Sequence, residues 1–188
     1  LTWMGFDMFS VATNHAMDYT HGGMEATMQN LEDRNIPYAG MGRDLTTARQ
    51  PAYLDTPAGR VALVSACSTI TAGSVAGRPR PGMHGRPGIA PLRFDTRYQL
   101  PDEAFEQLYD ISEKLGFEEY KQWTAELGFP LPESAGGFRF LNLNGTGHPD
   151  IVPGDDFGIE RVPNEDDMDA LTKQLDNAAR QADWVIAS

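Results

Sequence analysis

The chain has 188 residues, a formal net charge of −12, 40% hydrophobic residues and nine Phe. That length suits a single domain with a sizeable core, and the composition excludes a disordered chain. The acidic balance, with Lys114, Lys121 and Lys173 the only lysines, excludes the basic field of a nucleic-acid surface, and no apolar run approaches the ~20 residues of a membrane span.

The N-terminal Leu1-Thr2-Trp3-Met4 shows neither an initiator Met nor a basic-plus-apolar leader, as expected of a chain that begins mid-gene. An apolar, β-prone run, Met8–Ala12, is read as the first strand. It ends in Thr13-Asn14-His15, with Asp18 three residues beyond the histidine. A strand that delivers Asn-His at its C-terminal tip ahead of a helix is one way to build a site on an α/β sheet. Asn14 offers a neutral amide oxygen to a cation, His15 a proton donor or phosphate contact, and Asp18 a group to orient the imidazole. The plainer alternative is a buried strand with a polar exit turn, in which Asn14 and His15 cap the next segment.

A helix is expected over Gly23–Asn35, with Met24, Met28 and Leu31 on one face as core packing. Asn35-Ile36-Pro37 ends it, and Tyr38–Gly42 reads as a short strand with a glycine exit. Asp44 then caps a brief helix through Ala48. Ala52–Thr56 and Arg60–Ser65, flanking Pro57-Ala58-Gly59, form a hairpin. Cys67, the only cysteine, follows an apolar run and is read as buried and inert; no intrachain disulfide or cysteine metal cage exists.

From Ser68 to Arg93 no strand or helix period survives, and so long a segment inside a compact domain is functional or disordered. Between Thr56 and Phe94 there is no acidic residue but five arginines, Arg60, Arg78, Arg80, Arg86 and Arg93. Arginine recognises carboxylate and phosphate bidentately, so this local reversal of charge reads as an anion-binding loop, with His84 inside it as a further substrate contact. The alternative is that these arginines pair with acidic surface elsewhere and pin the loop.

Amphipathic helices follow over Asp102–Leu115, with Phe105, Leu108, Ile111 and Leu115 on one face, and over Glu118–Leu127. Pro130–Pro163 reads as loop-rich, with one strand at Phe138–Leu143 and His148 in a turn. Helix Asp166–Ala182 carries a core stripe of Met168, Leu171, Leu175 and Ala179. Asp183–Ser188 reads as a buried strand that should lead into a loop, so the chain is expected to be an interior piece of a larger domain, with an exposed terminal strand prone to pairing. Alternating β and α segments give an α/β domain over 1–188. Neither a G-x-S-x-G elbow nor a G-x-x-x-x-G-K-[ST] loop occurs, which excludes a serine hydrolase of that type and a P-loop enzyme.

These residues carry a family resemblance. Val11-Ala12-Thr13-Asn14-His15-Ala16-Met17-Asp18-Tyr19 resembles the "ANNHxxDxG" motif of CapA-type poly-γ-glutamate capsule proteins. Asn35 to Arg43 and Ala48-Arg49-Gln50-Pro51 resemble the family's "GIPyvGaGrn…AR.P" stretch. Gly85-Arg86-Pro87-Gly88-Ile89-Ala90-Pro91-Leu92-Arg93 is similar to the "GRPGxNPLR" element of one branch. Ala179 to Ser188 resembles the helix and strand before its "HxHE" motif. The likeness runs over nearly the whole chain, most loosely over Gly116–Pro163, where an insertion at 116–163 is expected.

The resemblance implies a metallophosphoesterase-like α/β/β/α sandwich, here truncated at both ends, with two divalent metal ions (Mn, Fe or Zn) in the complete protein. It makes Asn14 a metal ligand, His15 the general acid or phosphate contact, Asp18 its partner, and Arg86 and Arg93 the residues that orient an anionic substrate. In such two-metal sites the cations activate a water and neutralise charge on the phosphoryl oxygens. The family's "GD" motif would lie before Leu1 and its late histidine motif after Ser188, so this chain alone is expected to bind metal weakly or not at all. Thr13 stands where the family has Asn, and Thr20-His21 displace the expected glycine to Gly22. The implied function is a capsule-associated, metal-dependent hydrolase of an anionic polymer or phosphoester, working within a capsule-synthesis complex at the cell envelope or outside the cytoplasm. A non-catalytic polymer-binding protein and a γ-glutamyl amide hydrolase on the same site are the alternatives.

Overall fold

The computed structural model describes residues 2–71, 73–131, 133–134, 136–140 and 149–188. After a 3-10 turn at Thr2–Met4, the elements run β1 (Phe9–Ser10), α1 (Thr20–Glu32), β2 (Tyr38–Ala39), β3 (Met41–Gly42), α2 (Leu45–Ala48), β4 (Ala52–Thr56), β5 (Gly59–Val64) and β6 (Gly88–Ile89). There follow β7 (Phe94–Leu100), α3 (Asp102–Lys114), α4 (Phe117–Glu126), β8 (Phe138–Arg139), β9 (Asp150–Pro153), β10 (Gly158–Pro163), α5 (Glu165–Ala179) and β11 (Trp184–Ala187). Helices and strands are mixed along the chain, consistent with an α/β class. Two compact units emerge, one of 1–93 with 163–188, the other of 94–162.

In the first unit β1 pairs parallel with β2, and β5 lies between β4, antiparallel, and β11, parallel. The hairpin of β4 and β5 is the one expected around Pro57-Ala58-Gly59. Met24, Met28 and Leu31 are buried on α1, as their spacing requires; Met24 and Met28 join Met41, Cys67 and Ile89 in one core cluster. Each such buried side chain is worth roughly 1.5–3 kcal/mol. Asn35 takes a left-handed conformation (φ 51°) at the end of α1, a role asparagine tolerates better than most residues. At α2 the Asp44 carboxylate accepts from the Thr47 amide at 2.7 Å while the Thr47 hydroxyl accepts from the Asp44 amide at 3.1 Å, the reciprocal cap that fixes a short helix.

In the second unit the sheet order is β10-β7-β9-β8, with β7 and β9 parallel and β8 antiparallel to β9. The rings of Phe105 and Tyr109 on α3 both meet Phe138 edge-on, centroids 5.3 Å apart. Phe117 meets Phe140 at 5.0 Å.

The strands β7, β9 and β10 fall where the sequence reads as loop or carries no assignment. Phe94-Asp95-Thr96-Arg97-Tyr98-Gln99-Leu100 alternates too weakly to announce a strand, and its order comes from pairing with β9 over fifty residues away. On α3, Ile111 and Leu115 face outward and Ser112 is buried instead, its hydroxyl donating to the Tyr109 carbonyl. On α5, Ala178 rather than Ala179 is buried and Met168 is exposed. β11 is exposed along all four residues, with Trp184 50% exposed. The expected strand at Phe138–Leu143 is described for Phe138–Arg139, while its last three residues, like His148, lie outside the described residues.

Candidate functional site

The ends of β1, β5 and β11 come together through three serines. Ser10 at the end of β1 shares hydrogen bonds with Ser65, just past β5, at 2.8 Å and with Ser188, just past β11, at 2.9 Å. Gly40 makes this convergence possible. It sits at φ +96°, and a Cβ there would lie 2.6 Å from the Ala12 Cβ and 2.5 Å from the Ser65 hydroxyl, so no other residue fits.

From this edge the chain leaves β1 in tight turns that carry Asn14, His15 and Asp18 outward. His15 Nδ1 lies 3.0 Å from Asp18 Oδ2, both side chains exposed. The pairing fixes the ring and leaves Nε2 for a second partner. Asn14 is half-buried, and its amide has no hydrogen-bond partner among the described residues. Beside them opens a cleft of about 260 Å³, lined by His15, Ser10, Thr13, Tyr19 and Thr27 among others. His21, six residues on, is half-buried with Nε2 unpaired among the described residues.

The arginine-rich segment is an ordered arm. The Ile89 amide donates to the Ser74 carbonyl, the Ala76 amide to Ile89, and the Gly77 amide to Arg86, while Arg80 and Met83 exchange two hydrogen bonds at the tip. Glycines let the arm close on itself and on the start of α2: a Cβ on Gly88 would stand 2.3 Å from the Ala76 nitrogen within the arm, and one on Gly85 2.4 Å from the Asp44 Cβ. Arg78, Arg80, His84 and Arg86 are all exposed along it. Arg86 Nη2 donates to the Val75 carbonyl at 2.9 Å, and Arg78 lies 3.6 Å from Asp166. Neither His84 nor Arg86 lines the cleft beside His15, although the root of the arm at Gly73 lies near Met17.

Arg93 stands apart from the arm, engaged with a buried carboxylate. Its Nε and Nη2 donate to the two oxygens of Asp167 at 2.7 and 2.8 Å, and its backbone amide adds a third bond at 3.0 Å. Arg49 donates to the same carboxylate at 2.5 Å. Burial pushes the Asp167 carboxyl up, but the Arg93 hydrogen bonds and the two cations outweigh it and hold the carboxyl below its ordinary range. Burial holds the Arg49 guanidinium below its ordinary value in spite of Asp167.

A second polar cluster has no counterpart in the sequence reading. Arg43 binds Glu32 with both terminal nitrogens, at 2.8 and 2.9 Å, and reaches Glu25 at 3.3 Å; the Tyr38 hydroxyl donates to Glu32 at 2.8 Å. Burial, then the Glu32 carboxylate, push the Tyr38 hydroxyl up to about 12. The signal available was spacing: Glu25 and Glu32, seven apart, share one face of α1. The cluster ties α1 to β3 beside a cleft of about 270 Å³.

Among the described residues no group of three or more His, Cys, Asp or Glu gathers in a way that could hold a metal ion. Asn14 and His15 alone make no cage. No described helix is long and apolar enough to cross a membrane.

Comparison with known proteins matches residues 1–188 to a family described as bacterial capsule synthesis protein PGA_cap. The chain is also 33% identical over 112 residues to two uncharacterized proteins of Sinorhizobium fredii, y4sH and y4uA, an alignment that covers 60% of this chain and 24% of each relative. The chain thus spans about a quarter of the length of these curated relatives.

Proposed function

This chain belongs to the bacterial capsule synthesis protein family, and from that premise we propose that it carries part of the site of a metal-dependent hydrolase, on a metallophosphoesterase-like sandwich, that acts on an anionic polymer or phosphoester of the capsule. The observation that carries this reading is the His15–Asp18 pair at the exit of β1, beside an open cleft. Asp18 orients the ring, and the Nε2 of a protonated His15 donates to the oxygen that leaves as an ester bond breaks. Asn14 supplies one neutral oxygen ligand. In this reading two divalent ions, held mainly by residues of the whole protein outside these 188, would supply the charge that a phosphoryl group needs. Arg86, His84 and Arg93 orient the anion, Arg93 through the half of its side chain that Asp167 leaves exposed.

The exposed arm favours a second reading, a protein that holds polymer without cleaving it. One experiment separates the two. The whole protein, supplied with Mn²⁺, Fe²⁺ or Zn²⁺ in turn, is assayed on an artificial phosphodiester and for retention of an anionic polymer. Metal-dependent turnover that falls at least ~100-fold in His15→Ala, a general acid being worth that much, supports the hydrolase. Equal polymer retention by wild type and His15→Ala, with no turnover under any metal, supports the binder and overturns the first reading.

A further inference from the structure

The second unit turns apolar side chains outward where a solvated helix would place polar ones. Tyr120, Trp123 and Leu127 fall at i, i+3 and i+7 and so share one face of α4, and all three are exposed. Phe129 just beyond the helix is 74% exposed, and Ile111 and Leu115 on α3 are exposed as well. Large apolar side chains exposed side by side, as Tyr120, Trp123 and Leu127 are on α4, mark an interaction site. Trp and Tyr, whose rings meet here at 5.8 Å, are the residues that most often anchor such sites.

The charge around the stripe is one-sided. From Asp102 to Glu133 there are nine carboxylates against Lys114 and Lys121. Lys114 is taken by Asp110, and Lys121 by Glu133 at 3.1 Å and Glu118 at 3.9 Å. Glu113, Glu119 and Glu126 are exposed with no ion-pair partner among the described residues. Glu119 and Glu126 border the apolar stripe on the flank next to Trp123.

We propose that this face docks a basic amphipathic segment of a partner protein. The segment lays an apolar side on Tyr120, Trp123, Leu127 and Phe129 and sets Lys or Arg against Glu119 and Glu126, the helix-in-groove mode with an electrostatic rim. Complementarity of charge selects this occupant. A second copy presented by the same face brings carboxylate against carboxylate, and an anionic lipid surface is repelled by the same rim.

The test is calorimetric titration of the whole protein with two synthetic helix-forming peptides, each with leucines along one side and either lysines or glutamates along the other. Saturable binding of the lysine peptide alone is expected. It weakens about tenfold in the double variant Glu119→Gln/Glu126→Gln, the scale of two rim pairs, and further in Trp123→Ser. The double variant Asp155→Asn/Asp169→Asn, which removes the same charge elsewhere, binds as wild type; circular dichroism checks that every variant folds. Equal loss in the two double variants reduces the effect to net charge and overturns the proposal. It is overturned equally by absence of binding, by binding of both peptides alike, by uptake onto anionic vesicles, or by a dimer that Trp123→Ser dissociates.

Discussion

Asp167 shows how far a single residue can lie from what its neighbourhood in sequence suggests. It looks like one more acid in the first turn of α5, after Glu165 and Asp166, where the helix dipole favours carboxylates. In the fold it is fully buried, accepts three hydrogen bonds from Arg93 and one from Arg49, and so fastens the end of the Gly/Pro/Arg segment to α5. Nothing local to Arg93 names a partner 74 residues away, whereas the His15–Asp18 pair, three residues apart, was legible because its partners share one turn. Asp167→Asn leaves two guanidinium groups facing a neutral amide, and the expected loss is about 3 kcal/mol of stability at neutral pH, read from urea unfolding. The pH dependence has a definite sign. A carboxyl whose folded pKa lies below its unfolded value near 3.9 stabilises the fold fully above that value and loses the contribution as pH falls through the lower, folded one. Wild type therefore loses stability below about pH 4 more steeply than Asp167→Asn; parallel curves for the two would remove Asp167 from the acid response.

At the scale of elements, those with a strong local period were legible and those sustained by distant partners were not. α1, α2 and the β4–β5 hairpin follow from methionine spacing, an Asp44 cap and a Pro-Ala-Gly turn. β7, β9 and β10 did not, since each takes its order from strands elsewhere in the sheet. The outward Ile111 and Leu115 show the converse failure: a helical stripe records amphipathicity, not which side meets the core. The arm over residues 74–89 is a third case, a segment without period that is ordered by backbone pairing and by glycines that permit close approach. Two glycines test that account. A methyl on Gly88 meets the Ala76 backbone at 2.3 Å, so Gly88→Ala should cost about 2 kcal/mol through overpacking. Gly82 at the tip has open space around it but sits at φ +75°, so Gly82→Ala should cost nearer ~1 kcal/mol, the left-handed penalty of an L-residue. Thermal unfolding of the pair reads the difference, and a cost at Gly82 equal to that at Gly88 would show that the arm is not held by close packing.

These 188 residues carry their charge unevenly. A net charge of −12 repels a polyanion at long range, while the arm offers Arg78, Arg80, His84 and Arg86 at short range with no acid in its own sequence. Salt screens both, but they predict opposite trends. If the arm makes the contact, retention of an anionic polymer is strongest at low ionic strength and falls as salt rises, because guanidinium–carboxylate or guanidinium–phosphate pairs at an exposed surface weaken once the Debye length drops to about 8 Å. If overall repulsion governs the encounter, retention rises with salt. The expected outcome is the first, with retention lost at every salt concentration in the triple variant Arg78→Gln/Arg80→Gln/Arg86→Gln, and unchanged in Arg34→Gln, an exposed arginine of α1's C-terminal turn. Arg93 is left out of that variant by design, since its guanidinium is bound to Asp167 and its loss would report on stability as much as on binding. Retention that climbs with salt, or that survives the triple variant, would move the anion contact off the arm and onto the cleft beside His15.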